Sequence, residues 1–170
     1  DFSSSWYEPE KLLGTLAPNT NKVIKVENNF IENLKKHLNK LKRIYFAGGE
    51  PLIMPEHLEI LKFVTDRELS LHLHYNSNLS TLKYKEESLF KYWNKIKETG
   101  TIYIAVSCDG LYDLGEYIRV GFNHKKFLKN IQKLKDNDIS YGIQFTVSTY
   151  NIFHIFETIE QFIELDIIKT

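Results

Sequence analysis

Hydrophobic and polar residues alternate along three stretches of the chain, which is the pattern of a β-strand with one buried face. The alternation runs through Leu69–Tyr75, Thr101–Ser107 and Ser140–Ser148. A shorter β-type run, Arg43–Ala47, precedes them, and a β-branched run over Asp166–Thr170 is typical of the opening of another strand. The three alternating stretches predict strands that are apolar on one face and polar on the other.

Between these runs, apolar residues recur at the spacing of amphipathic helices. The spacing predicts helices over Glu27–Leu41, from Pro55 through Val64, and over Glu87–Glu98, Asn123–Asp136 and Ile152–Glu164. Strands that alternate with helices are generally parallel and joined by right-handed crossovers. Since no repeat or low-complexity linker interrupts the pattern, we expect one α/β domain.

The polar face of the strands limits which α/β architectures fit the sequence. A closed eight-stranded barrel fills its interior with bulky branched side chains, and a doubly wound sheet is apolar on both faces. The alternation fits neither arrangement. It favours an open or partial barrel whose concave side holds a polar ligand; the alternative is a polar face that simply meets solvent.

Composition and charge exclude several kinds of partner. Lys and Arg together number 22, as do Asp and Glu, so no net charge favours nucleic acid or an anionic membrane. Cys108 is the only cysteine, which excludes an internal disulfide framework. No apolar run approaches the ~18 residues of a membrane span, and the first residues lack the features of a secretion signal. We therefore expect a cytoplasmic protein.

Residues capable of chemistry follow the predicted strands, at the edge where parallel α/β folds bind ligands. Gly48–Pro51 comes after the first strand: its glycines let a ligand approach the backbone, its carboxylate can accept an ammonium group, and its proline fixes the turn. A plain tight turn explains the same residues. Polar residues around Asn76 follow the second strand, and Ser107 and Asp109 share one face at the end of the third.

These segments, in this order, resemble the radical S-adenosylmethionine (SAM) enzymes. Phe46–Leu52 is similar to the glycine-rich motif of that superfamily. Val106–Gly110, together with Arg119–Gly121, is similar to a strand end and downstream arginine of its peptide-modifying branch, which carries twitch or SPASM extensions. The opening Asp1–Tyr7 resembles the segment that follows the cysteine loop in twitch-type members. The resemblance covers nearly the whole chain and implies a partial (β/α)6 barrel.

The resemblance also implies how the chain binds the methionine moiety of SAM. The glycine-rich motif that contacts the amino group corresponds to Gly48, Gly49, Glu50 and Pro51. Ser107 and Arg119 match the positions that hold the carboxylate. Charge-assisted hydrogen bonds from an arginine and to a glutamate suit an amino acid zwitterion.

The remaining cofactor contacts follow from the same resemblance. Asn76 lies in the segment that is similar to the ribose side of the site, and Gln144 opens the segment on the adenine side. Asp109 is the candidate catalytic residue, as a proton acceptor near substrate or as a cofactor contact. An ordinary turn carboxylate before Gly110 is the alternative.

The superfamily's chemistry needs a [4Fe-4S] cluster held by three thiolates of a CxxxCxxC loop, and this sequence has no such loop. Cys108 lies in a different segment and cannot replace it. We therefore expect residues 1–170 to be an incomplete core that lacks the first strand, the cysteine loop and a C-terminal extension, and to be catalytically silent alone. The resemblance implies that the intact protein forms a 5′-deoxyadenosyl radical, takes electrons from an external donor and modifies a peptide or protein.

Two other functions remain open from the sequence. His72 and His74 lie on one strand face and, with Asp109, have the residue types of a two-histidine, one-carboxylate metal site in a hydrolase or oxygenase. The second alternative is a binding module that keeps the radical-enzyme fold without its cluster and recognises a peptide or partner protein.

Overall fold

Four strands pair in one parallel sheet. In the computed structural model, which describes residues 29–168, these strands are β1 (Arg43–Phe46), β2 (His72–Ser77), β5 (Thr101–Ser107) and β6 (Ser140–Gln144). They lie in the order β1-β2-β5-β6, and every neighbouring pair is parallel. Two very short strands, β3 (Lys83–Tyr84) and β4 (Glu87–Ser88), form a separate antiparallel hairpin.

Helices connect the strands of the sheet. They are α1 (Phe30–Lys35), α2 (Pro55–Asp66), α3 (Phe90–Ile96), α4 (Tyr112–Ile118), α5 (His124–Asp136) and α6 (Ile155–Glu164), with short 3₁₀ turns at Leu38–Lys40, Pro51–Ile53 and Ile152–His154. Pro55 begins α2 at a position where no backbone N–H is needed. The Asn123 side chain caps α5 by accepting a hydrogen bond of 2.8 Å from the backbone N of Lys126. The expected α/β architecture with a parallel sheet is confirmed.

The apolar face of the sheet forms the core. Leu73, Tyr75, Ile104 and Val106 are at most 1% exposed, and they pack with buried residues of α2, α3 and α5. Burying one such aliphatic side chain stabilises the fold by about 1.5–3 kcal/mol. The opposite face remains open, with Tyr103 and other polar or aromatic side chains partly or fully exposed. The expected alternation of an apolar and a polar face is therefore confirmed for β2 and β5, whereas β6 contains no buried residue and Val147 beyond it is exposed.

The carboxyl end of β6 differs from the expectation. The predicted strand continued to Ser148, whereas β6 ends at Gln144. The reason is that the next residues bond to other segments: the backbone N of Thr146 donates to Asp109 Oδ1 at 2.9 Å, and the backbone N of Ser148 donates to Asn151 Oδ1 at 2.7 Å. These hydrogen bonds replace those of a strand ladder.

Other element boundaries also shift. The first helix is shorter than predicted, since α1 ends at Lys35, and α4 was not expected. The segment 87–88, expected in a helix, belongs to the β3–β4 hairpin. Residues 166–168 form a turn and a bend, not a strand. The predictions for Asp1–Tyr7, Glu27–Asn28 and Lys169–Thr170 concern residues that lie outside the described range.

A buried group of aromatic residues joins α2, β1, β2 and α3. The Tyr75 hydroxyl lies 3.1 Å from His57 Nε2 and accepts a hydrogen bond of 3.2 Å from Trp93 Nε1. Phe46 stacks on Tyr75, with ring centroids 4.9 Å apart. His57 is 2% exposed, and its Nδ1 has no hydrogen-bond partner among residues 29–168. Because burial disfavours the imidazolium ion, the pKa of His57 falls from 6.5 to about 4.

The lowered pKa of His57 predicts a loss of stability in mild acid. The unfolded chain binds this proton near pH 6.5 while the folded chain resists it until pH 4. The stabilisation is therefore complete above pH 6.5 and declines as the pH falls, by up to about 3 kcal/mol. Urea unfolding between pH 7.5 and pH 4 measures this, with His57→Gln expected to flatten the profile.

His37, which is exposed, provides the matched control. His37→Gln should leave the pH profile of the unfolding free energy as in the parent protein. A profile that His57→Gln does not flatten would show that another group governs the acid sensitivity.

Candidate functional site

The turn after β1 exposes its backbone at the carboxyl edge of the sheet. Gly48 and Gly49 have φ angles of +87° and +54°, which L side chains rarely adopt. A Cβ built on either residue meets no atom of residues 29–168 within 4 Å, its own chain neighbours aside. The described structure therefore leaves space beside both glycines, and the approach of a ligand there stays a prediction.

Glu50 is fixed by residues from the end of β2. Its carboxylate accepts hydrogen bonds from Ser77 Oγ and from the backbone N of Asn78, each at 2.8 Å, and from the backbone N of Leu52 at 3.3 Å. Burial raises the pKa of the Glu50 carboxyl, and these hydrogen bonds oppose that rise. Pro51, which is buried, begins the following 3₁₀ turn.

An ion pair forms beyond the end of β5. Arg119 Nε donates to Asp109 Oδ2 at 2.8 Å, and the other carboxylate oxygen, Oδ1, accepts from the backbone N of Thr146. The Asp109 side chain is 10% exposed and that of Arg119 is 32% exposed. Both oxygens of Asp109 are thus engaged, whereas the terminal Nη atoms of Arg119 have no hydrogen-bond partner within residues 29–168.

A cavity of about 410 Å³ lies next to this ion pair. Its volume is within the range of small-molecule sites, about 300–1,000 Å³. The wall combines polar side chains with the apolar side chains of α4 and α5 and of the loop between them. The lining includes Asn78, Asp109, Arg119, Phe122, Lys126, Thr146 and Tyr150.

Three of the other predicted residues lie on the open face of the sheet near the strand ends. Ser107 pairs directly with Gln144. Asn76 pairs with Ala105, which lies two residues before Ser107 and so on the same face of β5. Paired residues of neighbouring strands project from the same face. Asn76 and Ser107 are half-buried and Gln144 is exposed.

Apart from these three open-face residues, the predicted residues form two groups within the described structure. Gly48–Pro51 joins the end of β2 through Glu50, while Asp109 and Arg119 join each other and line the cavity. No direct hydrogen bond links Ser107 with Arg119 among the described residues, although both were assigned to the carboxylate. The roles of these residues toward a cofactor stay predictions.

Sequence reasoning missed Asn151 in the loop after β6, and it placed Thr146 only within the segment Gln144–Ser148 on the adenine side. Thr146 lines the cavity, and Asn151, which is fully buried, donates through Nδ2 to the carbonyl oxygens of Asp109 and Thr146. The only sequence signal for Asn151 is its place just before a helical pattern, which is typical of a helix cap. Its actual partners lie up to 42 residues away along the chain.

The described residues do not assemble the alternative metal site. Within residues 29–168, no three His, Cys, Asp or Glu side chains lie close enough together to hold a metal ion. His72 Nδ1 lies 2.9 Å from Thr101 Oγ1, and the His74 ring packs between the rings of Tyr45 and Tyr103. The Asp109 carboxylate forms an ion pair with Arg119 instead.

Cys108 also lacks the properties of a metal ligand. The residue is fully buried, and its thiol lies 3.3 Å from the carbonyl oxygen of Gly110. Burial raises the pKa of Cys108 to about 11, which disfavours the thiolate form that binds iron. The described residues therefore fit an iron–sulfur cluster poorly.

Comparison with known proteins identifies the family. The model of the radical SAM superfamily matches residues 17–166. The chain belongs to the radical SAM superfamily. This membership supports the use of SAM and an iron–sulfur cluster in general terms, and the parallel α/β fold agrees with it. Within residues 29–168, no helix has both the length and the apolar character needed to cross a membrane.

One similar curated protein is a 7,8-dihydro-6-hydroxymethylpterin dimethyltransferase of Methanocaldococcus jannaschii. The two are 31% identical over 108 residues, which is 61% of this chain and 20% of that protein. The chain thus spans about a fifth of this relative's length.

The fold is similar to solved structures of a protein named anSMEcpe. A native form with bound AdoMet, which is SAM, has a TM-score of 0.61 and 17% identity over 82% of this chain and 40% of that one. A polyhistidine-tagged form with bound AdoMet has a TM-score of 0.64 and 18% identity over 89% and 42% of the two chains. These likenesses show the fold.

The backbone of the turn after β1 predicts how Gly49 tolerates substitution. Since its φ of +54° is left-handed and space surrounds it, a side chain meets strain but no clash. Gly49→Val should lower the free energy of unfolding by about 1–2 kcal/mol, and Gly49→Asn should lower it less, because Asn adopts this conformation more readily. Thermal unfolding measures both; equal losses would contradict the assigned backbone conformation.

Proposed function

We propose that this chain binds SAM at the carboxyl edge of the sheet as part of a radical SAM enzyme. The observation that carries the proposal is Arg119: Asp109 fixes its Nε, and its Nη atoms have no partner among residues 29–168, beside a cavity of about 410 Å³. A guanidinium whose outer nitrogens are unpaired is suited to bind a carboxylate through two parallel hydrogen bonds.

The charges at the two groups of residues suit the methionine moiety of SAM. Glu50 contributes a carboxylate that accepts three hydrogen bonds from the protein, and a carboxylate has about four acceptor positions. In the proposed function Glu50 accepts a further bond from the amino group. Gly48 and Gly49 leave the backbone open beside it, and Arg119 receives the carboxylate.

The open face of the sheet completes the proposed site. Asn76 holds the ribose, while Ser107 adds a hydroxyl beside the carboxylate and Gln144 contacts the adenine. These three side chains project from one face within two residues of the strand ends, which supports placing them against one extended ligand. Phe122 adds an apolar surface to the cavity that Arg119 also lines.

When bound, SAM and a reduced cluster would supply the radical chemistry that removes a hydrogen atom from substrate, and Gly48–Pro51 and Arg119 would hold the SAM. The cluster requires thiolates that this chain does not hold, since Cys108 is its only cysteine and is buried. We therefore assign to residues 29–168 the binding and orientation of SAM and not the ligation of iron.

The proposal extends to the substrate and cell compartment. We propose a peptide or protein substrate, an external electron donor and a cytoplasmic location, with the twitch or SPASM branch as the nearest group. The motifs around Ser107 and Arg119 support that branch. One of the similar solved structures is of anSMEcpe with bound AdoMet and a peptide, with a TM-score of 0.61.

Arg119 variants test the proposed carboxylate contact. Arg119→Lys keeps the positive charge but cannot contact Asp109 and a ligand carboxylate through separate nitrogens of one planar group. SAM affinity should fall about tenfold in Arg119→Lys and further in Arg119→Ala, since a hydrogen bond to a charged group contributes about 1.5–3 kcal/mol. Isothermal titration of the whole protein measures these affinities.

Arg67→Ala is the matched control, because Arg67 follows α2 at the opposite edge of the sheet. Its substitution should leave SAM affinity unchanged. If Arg119→Ala also binds SAM with parental affinity, Arg119 has no role in binding the carboxylate.

The enzymatic part of the proposal requires the whole protein under anaerobic conditions. Reduced protein with its cluster should convert SAM to 5′-deoxyadenosine and methionine, measured by liquid chromatography with mass spectrometry. Tight SAM binding without an iron–sulfur absorption band or 5′-deoxyadenosine would favour the cluster-less binding module. Stabilisation by Zn²⁺ that His72→Ala abolishes would favour a metal-dependent hydrolase or oxygenase.

A further inference from the structure

Asn151 is a fully buried polar residue that joins two loops at the candidate site. Its Nδ2 donates to the backbone carbonyl oxygens of Asp109 at 3.0 Å and of Thr146 at 2.9 Å. Its Oδ1 accepts from the backbone N of Ser148 at 2.7 Å. The amide nitrogen and the amide oxygen are thus both paired with backbone, and the amide fixes the end of β5 against the loop after β6.

Asp109 continues this network toward the cavity. The residue is 8% exposed, and its carboxylate joins the backbone N of Thr146 to the Nε of Arg119. Asn151 therefore connects the backbone of Asp109 to the backbone of Thr146. The backbone N of Thr146 in turn holds one oxygen of the Asp109 carboxylate. The result is a chain of hydrogen bonds that runs from a buried amide to an arginine at the cavity wall.

Arg119 is the member of the network that keeps unpaired donors among the described residues. Its side chain is about one third exposed and is held at Nε alone, so the two Nη atoms keep their donors in a fixed direction. A long side chain held in one rotamer loses less conformational entropy when a ligand binds. By immobilising the Arg119 side chain before binding, the network lowers the entropy cost of binding a ligand.

We propose that Asn151 and Asp109 are positioning residues that hold the Arg119 guanidinium ready for a ligand carboxylate. The inference rests on the proposed function, in which that carboxylate belongs to SAM. It assigns Asp109 a role different from that of a catalytic proton acceptor, because both of its oxygens already accept hydrogen bonds.

Two ligands separate positioning from general stability. SAM and decarboxylated SAM share the adenosine, the sulfonium and the amino group, and only SAM has the carboxylate. The parent protein should bind SAM about tenfold to a hundredfold more tightly than decarboxylated SAM, because charge-assisted hydrogen bonds are strong. Calorimetric titration of both ligands, without turnover, gives this preference for the carboxylate.

Asp109→Asn and Asn151→Asp are the test variants. Asp109→Asn keeps an oxygen for the backbone N of Thr146 but presents an uncharged amide, with its own donors, to Arg119 Nε. Asn151→Asp loses both donated hydrogen bonds and places a carboxylate against two carbonyl oxygens. Each variant should lower the preference for SAM about tenfold, with little change in the affinity for decarboxylated SAM.

Asn130→Asp is the matched control. Asn130 is also buried, and its Nδ2 donates at 2.9 Å to the carbonyl oxygen of Leu79, a cavity residue that has no hydrogen bond to Arg119 in the described structure. This variant should weaken the binding of both ligands equally, if it weakens either, and leave the preference for SAM as in the parent protein.

A measurement without ligand tests the network itself. The Nε–H of Arg119, hydrogen-bonded to Asp109, should exchange slowly with solvent in nuclear magnetic resonance spectra of the parent protein. Exchange should accelerate in Asp109→Asn and, if Asn151→Asp folds, in that variant as well. Asp109→Asn is closely isosteric, so it keeps the test decisive should Asn151→Asp unfold.

The outcomes distinguish the inference from the proposed function. Equal losses of SAM and decarboxylated SAM affinity in Asp109→Asn, or a parental preference for SAM, would overturn the positioning role while SAM binding stands. A parent protein that binds neither ligand would overturn the proposed function and the carboxylate role with it. In that case, slow exchange of the Arg119 Nε–H would still show that the hydrogen-bond network exists, and fast exchange would show that it does not.

Discussion

Burial of one face of the parallel sheet is the constraint on which the rest of the structure depends. A shift of one residue in any strand would move its apolar side chains out of the core, so the packing of Leu73, Ile104 and Val106 fixes the register. That register in turn places Ser107 beside Gln144 on the opposite face, at the ends of their strands. The positions of the open-face residues are therefore a consequence of hydrophobic packing on the opposite, buried face of the sheet.

The connections beyond the strands depend on polar contacts instead. Glu50 draws the turn after β1 against Ser77 and Asn78, and Asp109 draws the loop after β6 against the end of β5. Each carboxylate pairs with a backbone N–H group of a segment far away in sequence, so polar contacts hold both loops in place. Loops fixed in this way can present backbone and charged groups to a ligand while remaining near solvent.

Periodicity was sufficient to predict the sheet, its parallel strands and the helices that cover it, because alternation and helical spacing are local properties. It could not predict where β6 ends, since the hydrogen bond between Thr146 and Asp109 spans 37 residues. The same reason explains why Asn151 gave no functional signal: its partners come together only after the sheet has formed. The glycine turn was easier to interpret, because the positive φ angles of Gly48 and Gly49 depend on the residue type itself.

The carboxylates of Glu50, which is half-buried, and Asp109, which is buried, differ in what remains available to a ligand. Asp109 faces the Arg119 guanidinium, so its charge is neutralised within the protein. The Glu50 carboxylate accepts hydrogen bonds from neutral donors and pairs with no cation among the described residues. Burial raises its pKa. A cationic group near Glu50 would form an ion pair that the described residues do not provide. An anionic group near Arg119 would accept hydrogen bonds from its Nη atoms, which are unpaired among those residues. An amino acid moiety carries both charges, and the proposed binding of SAM rests on this correspondence.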